Sequence, residues 1–143
     1  MALKQLSVMV SNEKGELAKV TRILADAGIN LKAMSIADTE HFGILRLIVS
    51  DTEKAMAALK AVGCLTRITE VVGVKISDRP GALAETLDVL SRADINMEYL
   101  YAFCARTEKH AYMVLRVTDN AAAEAALEVA GLHLITDADV NKL

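Results

Sequence analysis

The sequence repeats itself. Residues 8–31 (VMVSNEKGELAKVTRILADAGINL) align without a gap with residues 74–97 (VKISDRPGALAETLDVLSRADINM), at an offset of 66 residues. The alignment pairs Gly15 with Gly81, Leu17 with Leu83, Leu24 with Leu90, Ile29 with Ile95 and Asn30 with Asn96. Further on, residues 55–63 match 123–131 at an offset of 68, which places two extra residues in the second copy around 105–110. Self-similarity at a fixed offset marks one supersecondary unit used twice, and a short insertion of this kind belongs in a surface turn. A chain of 143 residues is long enough for two minimal domains. The expected modules are 1–70 and 71–143.

Each copy reads strand, helix, strand, strand, helix, strand. Residues 3–10 and 71–77 alternate and are rich in Leu, Val and Ile, as strands require. Leu17, Val20, Leu24 and Ala27 recur at helical spacing within 16–27, as do Leu83, Leu87, Leu90 and Ala93 within 82–93. Strands are expected at 30–38 and 43–50, and again at 95–104 and 110–118. Ser50-Asp51 and Thr118-Asp119 cap Ala-rich second helices. Closing strands follow near 65–71 and 132–136. This order, βαββαβ, is the ferredoxin-like split βαβ, an α+β fold. Each module should carry a four-stranded antiparallel sheet with two helices on one face.

Strand parity assigns Met34, Ile36, Leu45, Leu47 and Val49 to the helix-covered face of copy one. Leu100, Met113, Leu115 and Val117 take that role in copy two. The opposite face receives Phe42 and Ile44, then Tyr99, Tyr101, Phe103 and Tyr112, and so holds all five aromatic residues. Such an apolar face is expected to pack against another sheet, within the chain or in a homodimer.

Composition narrows the function classes. Hydrophobic residues make up 53% of the chain, enough for a core, yet charges break every apolar run well before the ~18 residues of a membrane span. The N-terminus alternates like a strand and lacks the apolar block of a signal peptide, so a cytoplasmic protein is expected. Cys64 and Cys104 fit no metal-ligand spacing and read as small buried hydrophobes without a disulfide. Net charge is −3 and basic residues never cluster, which disfavours nucleic acid or an anionic membrane surface as partner. His41 near Asp38 and Glu40, and His110 near Glu108, occupy hairpin turns and read as solvated residues, not metal ligands; His133 reads as a surface or strand-edge histidine. Arg46 and Arg116, on the open face, suit ion pairs across an interface or contact with a ligand. No G-x-S-x-G, H-E-x-x-H, Walker loop or G-x-G-x-x-G occurs, so no catalytic residue and no cofactor is expected.

The most informative segments join the first strand to the first helix of each copy: Ser11-Asn12-Glu13-Lys14-Gly15-Glu16-Leu17 and Ser77-Asp78-Arg79-Pro80-Gly81-Ala82-Leu83. Glycine there allows positive φ or close approach of a ligand. The first N–H groups of the following helix lack intrahelical partners and favour a carboxylate or phosphate. Asn12 and Asp78 are placed either to cap the helix or to grip an ammonium group. Asn30 and Asn96 begin the second strand, expected beside the same turn, where an amide both donates and accepts. A small zwitterion suits such a pocket. Turn glycines, capping residues and strand-start asparagines would account for the same pattern, and the residues by themselves favour that structural reading.

The pattern of strand, N-x-x-G-x-L or D-R-P-G-A-L, helix, then G-I-N-L or D-I-N-M, resembles the ACT domain, a small regulatory module that binds amino acids in many metabolic enzymes. The resemblance spans essentially the whole chain as two tandem copies without an attached enzyme. It implies effectors held between modules joined edge to edge, touching one module's loop and the second strand of its neighbour. Carried over, the ligand-binding set is Asn12, Gly15, Leu17 and Asn30, with Asp78, Gly81, Leu83 and Asn96. Tyr99 and Tyr101 lie on the strand bordering that pocket, where an aromatic or imidazole side chain would stack. Lys14 replaces the family's usual proline, and Asp78 stands where copy one has Asn12, so the two loops differ in chemistry. The implied protein is a non-enzymatic amino-acid sensor, homodimeric, regulating a separately encoded metabolic enzyme. The alternative is a ligand-free dimeric scaffold that regulates a partner enzyme by contact. An enzyme assembled from both copies would need a paired nucleophile and base, and the sequence offers none.

Overall fold

A computed structural model describes residues 2–38 and 40–143. The elements are β1 (Leu3–Ser11), α1 (Glu16–Asp26), β2 (Leu31–Asp38), β3 (Phe42–Val49), α2 (Thr52–Ala61) and β4 (Thr66–Ser77). There follow α3 (Ala82–Arg92), β5 (Met97–Ala102), β6 (His110–Val117), α4 (Asn120–Val129), β7 (His133–Ile135) and α5 (Asp137–Val140). The ferredoxin-like order thus occurs twice, in an α+β chain. One compact unit is Lys4–Thr69; the other is Glu70–Leu143 with residues 2–3.

In the first unit the strand order is β2-β3-β1-β4, with β3 antiparallel to both its neighbours. Leu6, Val8 and Val10 of β1, Leu45, Leu47 and Val49 of β3, Val20 and Leu24 of α1, and Ala55 and Leu59 of α2 form one buried cluster. Both helices therefore pack on one sheet face, as their periodicity predicts. In the second unit β4 lies between β6 and β7, β5 lies outside β6, and all three pairings are antiparallel. Its core repeats much of the first: Val74, Leu90, Leu115 and Leu127 stand where Val8, Leu24, Leu47 and Leu59 stand. Asp51 and Asp119 cap α2 and α4 as expected, accepting from Lys54 and Ala122 N–H at 3.1 and 3.0 Å.

The open face also follows the parity. Leu100 lies opposite Leu115 of the helix-side core, whereas Tyr99 and Tyr101 lie opposite Arg116 and Val114 on the other face. Tyr101 and Phe103 are buried. Arg116 pairs within its own unit, its Nε 3.2 Å from Glu98 Oε2 and its Nη1 donating to Glu70 O at 3.1 Å. Among the described residues no helix is long and apolar enough to cross a membrane.

Four expectations are corrected. Met34 and Ile36 sit opposite Leu47 and Leu45 but remain 44% and 45% exposed, because β2 is an edge strand that the helices reach only at Leu31. Cys104 is exposed and Cys64 only half-buried against the first core, so neither is a fully buried hydrophobe. The strands expected at 65–71 and 71–77 are one strand, β4, since Thr69-Glu70-Val71-Val72 contains no turn residue to interrupt it. Last, α5 was not expected. Thr136 starts it with a reciprocal capping box: its Oγ1 accepts from Asp139 N–H at 3.2 Å, and Asp139 Oδ2 accepts from Thr136 N–H at 2.9 Å.

Gly73 is closely packed within the second unit. A Cβ there would lie 2.5 Å from Leu3 Cδ1 and 3.1 Å from Ile135 Cβ, and both side chains are buried. Gly73→Ala should therefore cost about 1–3 kcal/mol by overpacking. Urea denaturation measures it, and an unchanged midpoint would show that Leu3 is free to move aside.

Candidate functional site

The two strand–helix loops have the same backbone. Gly15 precedes α1 at φ 86 and ψ −9, and Gly81 precedes α3 at φ 89 and ψ −14, both left-handed. A side-chain-bearing residue in that conformation is strained by about 1–2 kcal/mol. Glycine is thus needed for conformation, and at Gly15 for that alone, since a Cβ would meet nothing within 4 Å. The loops are pinned to the neighbouring hairpin connections: Asn12 N–H donates to His41 O at 3.1 Å, and Asp78 N–H to Lys109 O at 2.9 Å. Glu16 and Ala82 N–H bond back to Glu13 and Arg79 O, each at 3.3 Å. The helical ladder begins with Lys19 N–H to Gly15 O and Glu85 N–H to Gly81 O. Gly15 and Gly81 are themselves the N-cap residues and bring no capping side chain. The N–H groups of Leu17 and Ala18, and of Leu83 and Ala84, belong to the first turn, which has no intrahelical acceptor. Such groups favour an anionic partner.

Asn12 and Asp78 lie three residues before the N-cap glycines. Asp78 holds an ion pair with Arg106, Oδ2 to Nη1 at 3.7 Å. The copies diverge further around this loop. Arg79 bridges to Glu85, and that hydrogen bond and charge hold the Glu85 carboxyl below the usual carboxylate range. By the repeat offset, Glu13 and Lys19 stand in copy one with the charges exchanged. Leu17 is 42% exposed, whereas its counterpart Leu83 packs partly on the second core.

Asn30 and Asn96 tie the start of one strand to the end of the next through the main chain. Ser50 N–H donates to Asn30 O at 3.0 Å and Asn30 N–H to Ser50 Oγ at 3.0 Å; Thr118 N–H donates to Asn96 O at 3.1 Å. Both residues are exposed. They are not beside the loops. Ser11 lies opposite Phe42 and Leu31 opposite Val49, the two ends of β3. Ser77 lies opposite His110 and Met97 opposite Val117, the two ends of β6. At ~3.3 Å per residue, loop and asparagine are about 20 Å apart in each unit. The first helix runs back along the first strand, so whatever follows it starts at the far end of the sheet. Each unit thus gathers Asn12, Gly15 and Leu17, or Asp78, Gly81 and Leu83, and keeps its asparagine remote. Asn96 lines a recess of about 370 Å³ with Leu87, Ser91, Asp94 and Met97. Tyr99 and Tyr101 stack at a centroid distance of 6.5 Å, with Tyr101 buried.

A larger recess of about 410 Å³ in the second unit includes Lys75, Arg106, Tyr112 and His133, none of which the loop motif identifies. The one sequence signal near it is the two-residue insertion, which falls in the β5–β6 connection and contains Arg106. Among the described residues no three His, Cys, Asp or Glu side chains group as metal ligands.

Comparison with known proteins agrees with this architecture. A family model described as an ACT domain pair matches residues 1–143. A protein from Bacteroides thetaiotaomicron is similar in structure with a TM-score of 0.93, at 39% identity over 100% of this chain and 98% of that one. The regulatory subunit of aspartate kinase from Thermus thermophilus, in its ligand-free form, shares the fold with a TM-score of 0.70, at 19% identity over 92% of each chain. The aspartate kinase of Synechocystis does so with a TM-score of 0.61, at 22% identity over 95% of this chain and 27% of that one. No curated protein matches the sequence.

The left-handed loop glycines generate a direct test. Gly15→Ala and Gly81→Ala should each destabilise the protein by about 1–2 kcal/mol in chemical denaturation, despite the open space at Gly15. Stability equal to the parent's would mean that the loop adopts another backbone conformation at no cost.

Proposed function

The chain belongs to the ACT domain family as a tandem pair of domains, and from that premise we propose that it is a non-catalytic regulatory protein that binds a free amino acid between ACT modules. In this reading it works as a homodimer in the cytoplasm and controls a separately encoded metabolic enzyme. The observation that carries the proposal is the separation of each loop from its own asparagine. A zwitterion needs acceptors for its ammonium group and donors for its carboxylate. The first-turn N–H groups after Gly15 and Gly81 supply the donors. Asn30 and Asn96 supply amides of both kinds, and a neighbouring module brings them to the loop. The expected modules, 1–70 and 71–143, are the bodies whose relative orientation the ligand sets. Ligand shifts that orientation only by its difference in affinity between the two arrangements.

The regulatory-subunit neighbour lends support to a role in a separate chain, since this chain covers 92% of that subunit. The chemistry of the loops also favours binding over catalysis: they present backbone donors and Asn or Asp side chains, without a paired nucleophile and base. The unequal surroundings of Asn12 and Asp78 further suggest two sites of different affinity.

Thermal unfolding against each common amino acid at millimolar concentration tests the proposal. A ligand at ~100 times its dissociation constant adds about 2.7 kcal/mol to native stability, a rise of several degrees for a chain of this size. One amino acid, or a small related set, should raise the midpoint, and Asn30→Ala or Asn96→Ala should abolish the rise at the site it serves. No shift with any amino acid would favour the ligand-free scaffold.

A further inference from the structure

The first helices of the two units carry opposite charges at the same positions. By the offset of 66, Lys19 of α1 corresponds to Glu85 of α3, Arg22 to Asp88 and Asp26 to Arg92. All of these side chains are exposed. Glu85 is bridged to Arg79 of its own loop, but among the described residues no ion pair reaches Lys19, Arg22, Asp26, Asp88 or Arg92. Small exposed residues share the same faces, Ala18 and Ala25 with Arg22, Ala84 and Ser91 with Asp88, and leave room for another helix to approach.

The stability of each helix by itself does not account for the exchange. Lys19 and Arg22 are like charges three residues apart in α1, as are Glu85 and Asp88 in α3, and helical neighbours of like charge repel. Asp26 ends α1, where the helix dipole favours a cation, whereas α3 ends on the favoured Arg92. Copy one thus carries a charge order that works against its own helix.

Pairing between helices does account for it. In an antiparallel pair related by a two-fold axis through the helix midpoints, residues equidistant from those midpoints meet. The midpoints are residues 21 and 87. Set against α3 of another chain, α1 places Glu16 opposite Arg92, Lys19 within one residue of Asp88, and Arg22 within one residue of Glu85. Every such contact joins opposite charges. Two α1 helices would instead set Glu16 opposite Asp26 and Lys19 beside Arg22, and two α3 helices would set Glu85 beside Asp88. Every contact there joins like charges. The pattern favours unlike helices and disfavours like ones, by repulsion as well as attraction.

We propose that the homodimer of the proposed function, on which this inference rests, joins the first unit of each chain to the second unit of its partner, α1 against α3. The occupant of each helix face is a second copy of this chain. Antiparallel pairing sets the Gly15 loop, at the start of α1, beside the end of the partner's α3 and so near Asn96 of the partner subunit. It sets the Gly81 loop beside the end of the partner's α1 and so near Asn30 of the partner subunit. Each joint then completes two unlike ligand positions, one with Asn12 and one with Asp78.

Each helix can take the residues of the other, which supplies the variants for the test. One carries Lys19→Glu with Arg22→Asp, and the other Glu85→Lys with Asp88→Arg. Circular dichroism and thermal melting check that both fold. Sedimentation velocity at low salt should show a parent dimer that weakens as salt is raised. Each variant alone should associate about tenfold or more weakly than the parent. Mixing the two variants should restore dimers, which native mass spectrometry should identify as heterodimers. A monomeric parent, parent-like association of either variant alone, or a mixture that stays monomeric would overturn the proposal. The thermal response to amino acids separates the two claims: a parent dimer that obeys these charge rules yet answers to no amino acid supports the pairing and counts against the ligand reading alone.

Discussion

Each unit is governed by the return of its first helix along its first strand. Burying Val20 and Leu24 against Val8 and Leu47, or Leu90 against Val74 and Leu115, requires the helix to lie antiparallel on the sheet. That packing is the main stabilising term, since each fully buried aliphatic side chain contributes about 1.5–3 kcal/mol. It also dictates where functional groups can stand. The left-handed glycine and the first helical N–H groups gather at one end of the sheet, and the strand-opening asparagine at the other. In the proposed function, a ligand that touches both lies where two modules meet. Its binding energy is then tied to the arrangement of those modules, which is what a regulatory protein requires.

The duplication preserved this frame and released the periphery. Most core positions, the helix-capping aspartates and the glycines before the first helices correspond between the copies, while buried Thr86 stands for Val20 and left-handed Asp94 for Gly28. The charges on the first helices and beside the loops, the hairpin length and the segment after the last strand do not correspond. Cores tolerate little change because each methylene is packed, whereas surface rows change at small cost to stability. Divergence concentrated at the surface is consistent with two copies of one scaffold that meet different chemical partners.

Much of this was legible in the sequence, for identifiable reasons. The βαββαβ order, the helix-covered faces and the capping roles of Asp51 and Asp119 follow from local periodicity and local hydrogen bonding. Gly15 and Gly81 were legible because only glycine takes φ near +90° without strain. What local patterns do not carry is which strand becomes an edge and which end of a sheet a residue occupies. Met34 and Ile36 share the parity of Leu47 and Leu45, yet the edge position of β2 leaves them exposed. Asn30 follows α1 closely in sequence, yet the direction of α1 carries it away from Asn12. The recess around Lys75 was invisible for a related reason: Lys75, Tyr112 and His133 come from three strands far apart in the chain, and only their register brings them together.

The between-module site is the central claim, and one measurement addresses it most directly: a backbone NMR titration of the intact protein with the amino acid that stabilises it. If the ligand bridges a loop of one module and the strand start of another, two groups of resonances should shift along one saturation curve. One group comprises Gly15 and Leu17, or Gly81 and Leu83; the other comprises Asn30, or Asn96, although each lies about 20 Å from its own loop. Shifts at the loops alone, with both asparagines unmoved at saturation, would contradict the account and place the ligand within a single module.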